Sequence, residues 1–272
     1  MSVSTKDSQG SDPYTFDNDK DTGAPTLGFL AEILDPFSRG QLLRAGVRTD
    51  ARWLELGAGA GTLAAWMANE VGSGGRVVAT DIKPQHIAAH PGVEVLRHNL
   101  LTDALPQVEG GFDGIHARLL LAHLPTREQL VPGLAGLLAP GGALVVEEWR
   151  GSWDDCVLAT PDPTAQELFA RYQAAFQSVL VSRGNDVRWA LRVNGVMRAA
   201  GLVDVETTVH ARSWVGGSAG CQLPIATTTE IQDALVEHGM SLGDLGRMRE
   251  LLTDPRLVIR DNLLYSTIGY KA

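Results

Sequence analysis

Residues 53–68 read WLELGAGAGTLAAWMA, and this stretch decides the fold. A short apolar run ends in glycine, as a buried strand does. Gly57, Gly59 and Gly61 follow at alternate positions. From Thr62 the chain takes up helical spacing, which Gly72 closes. A glycine turn between a first strand and its helix lets backbone N–H groups and the helix N-terminus approach a ligand closely. Each glycine also adds backbone entropy that folding must remove, so three together argue for a close approach or unusual dihedrals. The dinucleotide fingerprint G-x-G-x-x-G fails at its third glycine, where Thr62 stands. No Lys-Ser/Thr pair follows the loop, which excludes a P-loop.

Working outward, GRVVATDI (75–82), VEVLRHNL (93–100), FDGIHAR (112–118) and ALVVEEW (143–149) read as further strands. KPQHIAAH (83–90) reads as a short helix, and 126–142 as a helix stopped by Pro140 and Gly141. The chain turns helical again near Arg118. Residues 26–46 have helical spacing that Pro36 interrupts. Strands alternating with helices give βαβ units and a parallel sheet. Beyond Trp149 the rhythm changes: helices at 164–184 and 188–201, a strand at 202–214, helices around 227–239 and 242–252, and a closing strand at 262–271.

The 272 residues suffice for one large domain, or one with a cap. The reading divides them into a polar segment, 1–24, acting as flexible tail or lid, a ligand-binding half, 25–150, and a C-terminal half, 151–272, that completes the sheet and adds a helical cap. Net charge is −9 and no basic run occurs, which argues against nucleic acid as a partner. Two isolated cysteines, Cys156 and Cys221, make neither a disulfide framework nor a zinc site, and fit a reducing cytoplasm. The N-terminus lacks a signal-peptide core, and no run approaches ~18 apolar residues, so no membrane partner is expected. Histidine and acidic spacings give no metal site. The sequence leaves a homo-oligomer as open as a monomer.

Glu55 precedes the glycines in the order E-x-G-x-G-x-G. Asp81 ends the second strand, LRHNLLTD (96–103) follows the third, and FDGIHARLLLAHLP (112–125) and LLAPGGALVVEEW (137–149) carry the fourth and fifth. With these residues the chain resembles the class I S-adenosylmethionine-dependent methyltransferases. HARLLLAHLP together with APGGALVVEEW is similar to a group of actinobacterial small-molecule methyltransferases. The resemblance implies an α/β fold: a doubly wound, mostly parallel, seven-stranded Rossmann-like sheet with a helical cap. It implies S-adenosyl-L-methionine as cofactor, with Gly57, Ala58 and Gly59 packed against its amino-acid and ribose portions and Glu55 near its ammonium group. Asp81, with Ile82 beside it, would take the ribose hydroxyls. Asn99 would meet the adenine amino group and the Leu100 N–H the ring. Ala117 and Arg118 complete the set, and Tyr14, in YTFDN, is expected near the cofactor as part of a lid.

In an open parallel sheet, ligands bind outside the carboxyl ends of the strands. The acceptor should therefore face the loops after the fourth and fifth strands, which hold Arg118, His123, Glu147, Glu148, Trp149 and Trp153. Helices of 161–184 and 222–253 would cap them. An oxygen acceptor must lose a proton; His123 is the first choice of base and Glu148 the second. His116 and Asp113 read as structural, and His210 as reaching toward the cap. The expectation is methyl transfer to a small molecule, at oxygen, in secondary metabolism. Cyclisation with the same cofactor, N- or C-methylation, and a non-catalytic binding module are the alternatives. The N/D-P-P-Y motif of exocyclic-amine methylation is replaced by ARLL.

Overall fold

A computed structural model describes residues 23–151 and 155–272 of the chain. Its elements are, in chain order, α1 (Gly23–Arg44), β1 (Arg52–Leu56), α2 (Thr62–Val71), β2 (Arg76–Asp81), β3 (Val93–Arg97), β4 (Phe112–Arg118), α3 (Arg127–Leu137), β5 (Leu138–Arg150), β6 (Val157–Ala159), α4 (Ala165–Ser182), α5 (Val193–Ala199), β7 (Val203–His210), β8 (Ser213–Val215), α6 (Ala219–Glu230), α7 (Gln232–Glu237), α8 (Leu242–Thr253), β9 (Val258–Arg260) and β10 (Leu263–Tyr270). Seven strands form one sheet in the order β3-β2-β1-β4-β5-β10-β7. Every neighbouring pair through β5 is parallel, and β10 runs antiparallel to both β5 and β7. Strand order reverses between β1 and β4, so the glycine loop after β1 opens at the switch point. The expected doubly wound α/β sheet is present.

Helices cover both faces, which is why β1 is buried along nearly its whole length. On one face Leu54, Leu56, Val78, Ile115, Leu144 and Val146 pack with α3 and α5. On the other, Trp53, Val77, Ala79 and Val145 pack under α2 and the end of α1. A third core gathers Ile33 and Leu34 of α1 with α4, α6 and α8, and forms the cap.

Several local expectations are corrected. α1 runs through Pro36 without a break. Proline removes one intrahelical N–H, but its φ suits a helix, and Asp35 and Ser38 on either side bond to the sheet. The 83–90 helix shrinks to a 3-10 turn at Pro84–His86. The turn after β4 begins at Leu121, not at Arg118. The 202–214 strand divides into β7 and β8, which join different sheets. β6, β9 and β8 make a small antiparallel sheet under the cap that three-residue strands do not announce in sequence.

Candidate active site

The three loop glycines all adopt left-handed dihedrals, with φ of 63° at Gly57, 57° at Gly59 and 74° at Gly61. That region is costly for residues with a Cβ. At Gly61 a Cβ would also come within 2.6 Å of the Ile87 side chain. The loop and the ends of β2, β3 and β4 enclose a cavity of about 190 Å³, lined by Glu55, Gly57, Ala58, Gly59, Asp81, Ile82, Asn99, Leu100 and Arg118 among others. Eleven of the thirteen residues expected at the site, His123 and Glu148 among them, therefore line one or other of two adjoining cavities.

Within the first cavity, both oxygens of Asp81 accept backbone N–H groups, from Gly59 at 3.0 Å and Lys83 at 2.9 Å. Asp81 thus ties the glycine loop to β2 at the cavity wall. Asn99 Oδ1 accepts from the Leu101 N–H at 2.9 Å, the turn-forming geometry of its residue type. Glu55 is buried, and its Oε2 has no hydrogen-bond partner among the described residues. A buried carboxyl oxygen without a donor fits a ligand that brings one.

A second cavity, of about 160 Å³, adjoins the first and shares Leu27, Leu30, Leu119 and His123 with it. Glu148, Trp149, Tyr172, Phe176, Leu223 and Asn262 line its far side. Tyr172 and Phe176 stack there with ring centroids 5.8 Å apart. Leu119, at the junction, holds φ at 51°, an outlier for a bulky residue, while its N–H donates to the Glu147 carbonyl at 2.8 Å.

Pleating sends the adjacent residues Glu147 and Glu148 to opposite sides of β5. Glu148 accepts from the Ala122 N–H at 3.1 Å. Burial pushes its carboxyl up to about 8, against the backbone donors of Ala122, Leu121 and Leu120. His123 moves the other way: burial, with the charge of Arg127, lowers its imidazole to about 4. Enclosure between the cavity wall and a guanidinium accounts for this drop from the ordinary histidine value.

Ala117 is fully buried in the core under α3 and lines neither cavity, because its side chain alternates away from those of His116 and Arg118. Arg118 reaches the first cavity, yet its guanidinium is engaged with α1, donating to Ser38 Oγ and Asp35 Oδ1, each at 2.9 Å. Tyr14 and Trp153 lie outside the described residues. The sequence reading missed Leu27 and Leu30, which wall both cavities from α1, and Leu119. The apolar face of α1 was the available signal, but it does not say what the face covers. Among the described residues no cluster of three His, Cys, Asp or Glu is placed to hold a metal, and no helix is long and apolar enough to cross a membrane.

Residues 54–144 match the family model of a methyltransferase domain. The match starts in β1 and ends in β5, so it contains the glycine loop and every cofactor-side residue discussed except Tyr14 and those of α1. The methyltransferase GfsG of Streptomyces halstedii is 30% identical over 138 residues, 48% of this chain and 50% of that protein. The methyltransferase str2 of Strobilurus tenacellus is 32% identical over 122 residues, 44% of this chain and 40% of that protein. The chain thus spans half or less of the curated relatives it matches. Among solved structures, phosphoethanolamine N-methyltransferase 2 of Haemonchus contortus, in complex with phosphomonomethylethanolamine and S-adenosylhomocysteine, superposes with a TM-score of 0.56 at 14% identity, over 95% of this chain and 60% of that one. That likeness concerns the fold.

Proposed function

We propose that this chain is an S-adenosylmethionine-dependent methyltransferase that methylates a small, largely apolar molecule at oxygen. The observation that carries the reading is the pair of adjoining cavities: one walled by the glycine loop, Glu55 and Asp81, the other by stacked aromatics and Glu148. When bound, S-adenosylmethionine supplies a methyl group already activated on a sulfonium centre. The protein's tasks are then alignment and removal of the acceptor's proton.

The Gly57–Gly61 backbone and Glu55 would hold the amino-acid end, with the Glu55 carboxylate toward the ammonium group. Asp81 braces the loop and would accept the ribose hydroxyls, with Ile82 beside it. Asn99 and the Leu100 N–H would meet the adenine. Glu148, rather than His123, is the proton acceptor. An imidazole lowered to about 4 is neutral but weakly basic, whereas a carboxyl raised to about 8 is the better base of the two once ionised. The second cavity, about 160 Å³, has room for a small acceptor.

Calorimetry with S-adenosylhomocysteine, followed by labelled methyl transfer to a panel of phenols, acids, amines and macrolide-like alcohols, tests the reading. Micromolar binding of the homocysteine compound and label on a hydroxyl acceptor support it. Binding of NAD in its place, or label confined to amines, overturns it.

A further inference from the structure

β1, β4 and β5 carry a row of polar residues across the α2-facing side of the sheet. Parallel pairing sets Glu55 opposite His116 and Arg118 opposite Glu147. All four side chains therefore project from the same face near the carboxyl ends of the strands. The His116 side chain is fully buried. Its Nε2 lies 3.3 Å from Glu147 Oε2, and its Nδ1 lies 3.6 Å from Glu55 Oε1, an ion-pair distance. Beyond Glu147 the row continues into α1. Ser38 Oγ donates to Glu147 Oε2 and receives from Arg118, which also meets Asp35. Arg39 approaches Asp35 from the outer side at 3.8 Å. Two bases, His116 and Arg118, thus stand among three acidic side chains, and the described residues leave Glu55 Oε2, Glu147 Oε1 and His116 Nδ1 without hydrogen-bond partners, the last facing Glu55 as an ion pair only.

We propose that His116 is a positioning residue for the amino-acid end of the cofactor: braced against Glu147, its ring fixes the Glu55 carboxylate at the cavity wall, where it would receive the α-ammonium group. Its place in the row argues for this. Glu55 lines the cavity at one end, Glu147 is anchored by Ser38 at the other, and His116 is the link between them. An ordinary packing residue in the middle of a buried parallel sheet is apolar, as its neighbours Ile115 and Ala117 are. Burial opposes protonation of the imidazole, but the hydrogen bond to Glu147 and the nearness of Glu55 outweigh it and hold His116 above its ordinary value. Glu147 shows the matching effect. Burial raises it, and His116, Arg118 and Ser38 bring it below the ordinary carboxylate value.

The inference rests on the proposed cofactor, so its experiment separates the two. Wild type and His116→Asn are titrated with S-adenosylhomocysteine and with 5′-methylthioadenosine, which keeps the adenosine and sulfur but lacks the amino acid. Wild type that binds neither ligand removes the cofactor reading and the positioning role together. Wild type that binds both leaves the variant to decide. We expect His116→Asn to lose about tenfold or more in affinity for S-adenosylhomocysteine, as for a weakened charge-assisted contact, and to hold methylthioadenosine within about threefold of wild type. Equal losses for both ligands, or no loss for either, overturn the role. Should His116→Asn not fold, the ring resonances of His116 in wild type decide. A ring that titrates above free histidine supports the bracing contact, and one that titrates at or below free histidine refutes it.

Discussion

Glu148→Gln tests the acceptor-side chemistry without any need to know the acceptor. The glutamine keeps the shape and the oxygen that receives the Ala122 N–H, but it does not titrate. In wild type the folded carboxyl sits at about 8 against an ordinary 4.5, because burial disfavours its charge. A folded-state value above the unfolded one means that the native state binds the proton more tightly. The associated stability is complete below pH 4.5 and is lost as pH rises toward 8. At about 1.4 kcal/mol per pH unit across that window, wild type loses on the order of 4 kcal/mol that the variant keeps. Denaturant unfolding at pH 5, 6, 7 and 8 reads this directly. Contributions from His116 and the other titrating groups are common to both proteins and cancel in the difference. The stability gap should widen steadily in favour of Glu148→Gln from pH 5 to pH 8. Parallel stability curves would refute both the burial argument and the use of Glu148 as a tuned base. With an acceptor in hand, the same variant should transfer methyl about 10²–10⁴-fold more slowly while binding the cofactor normally.

The wild-type rate should rise with pH to a midpoint near 8, and His123→Ala should keep that midpoint while losing thermal stability; a midpoint near 6.5 that vanishes in His123→Ala would return the base role to His123. Asp81→Ala removes the acceptor for the Gly59 and Lys83 N–H groups, and should weaken S-adenosylhomocysteine binding by about 1–3 kcal/mol in calorimetry; an unchanged affinity in a folded variant would contradict it. Gly59→Val puts a branched side chain at a φ of 57° with Leu27 3.2 Å from its Cβ, and should abolish binding while far-ultraviolet circular dichroism stays near wild type; normal binding would reduce the loop to a turn.

The parallel half of the chain was legible because its signals are local. β1, α2 and β2 each carry their own periodicity and terminators, and Gly72 caps α2 where the sequence placed it. Asp81, Asn99 and the glycines were findable for the same reason, since each stands at a fixed offset from a strand end. What the sequence hid depends on residues far apart. Ser38 meets Glu147 across 109 positions, and Arg118 meets Asp35 across 83. Pro36 reads as a breaker until those contacts are seen to hold the helix on both sides of it. His116 reads as a buried strand residue, and it is one, but only the register of β1 against β4 puts Glu55 beside it. The rank of His123 over Glu148 followed its position after the fourth strand, which does not reveal how burial moves the two groups in opposite directions.

The opposed directions of Glu147 and Glu148 also set where this scaffold tolerates redesign. A one-residue insertion or deletion between Leu144 and Glu147 would exchange the two carboxyl groups across the sheet. The partner of Ser38 would then stand in the acceptor cavity, and the acceptor-side group would stand under α1. Point libraries or length variation in β5 therefore disturb both cavities at once. Tyr172, Phe176 and Leu223 line the acceptor cavity from α4 and α6 and take no part in the β1–β4–β5 row. Those three positions are where a selection for new acceptors can vary size and shape while the β5 frame stays fixed.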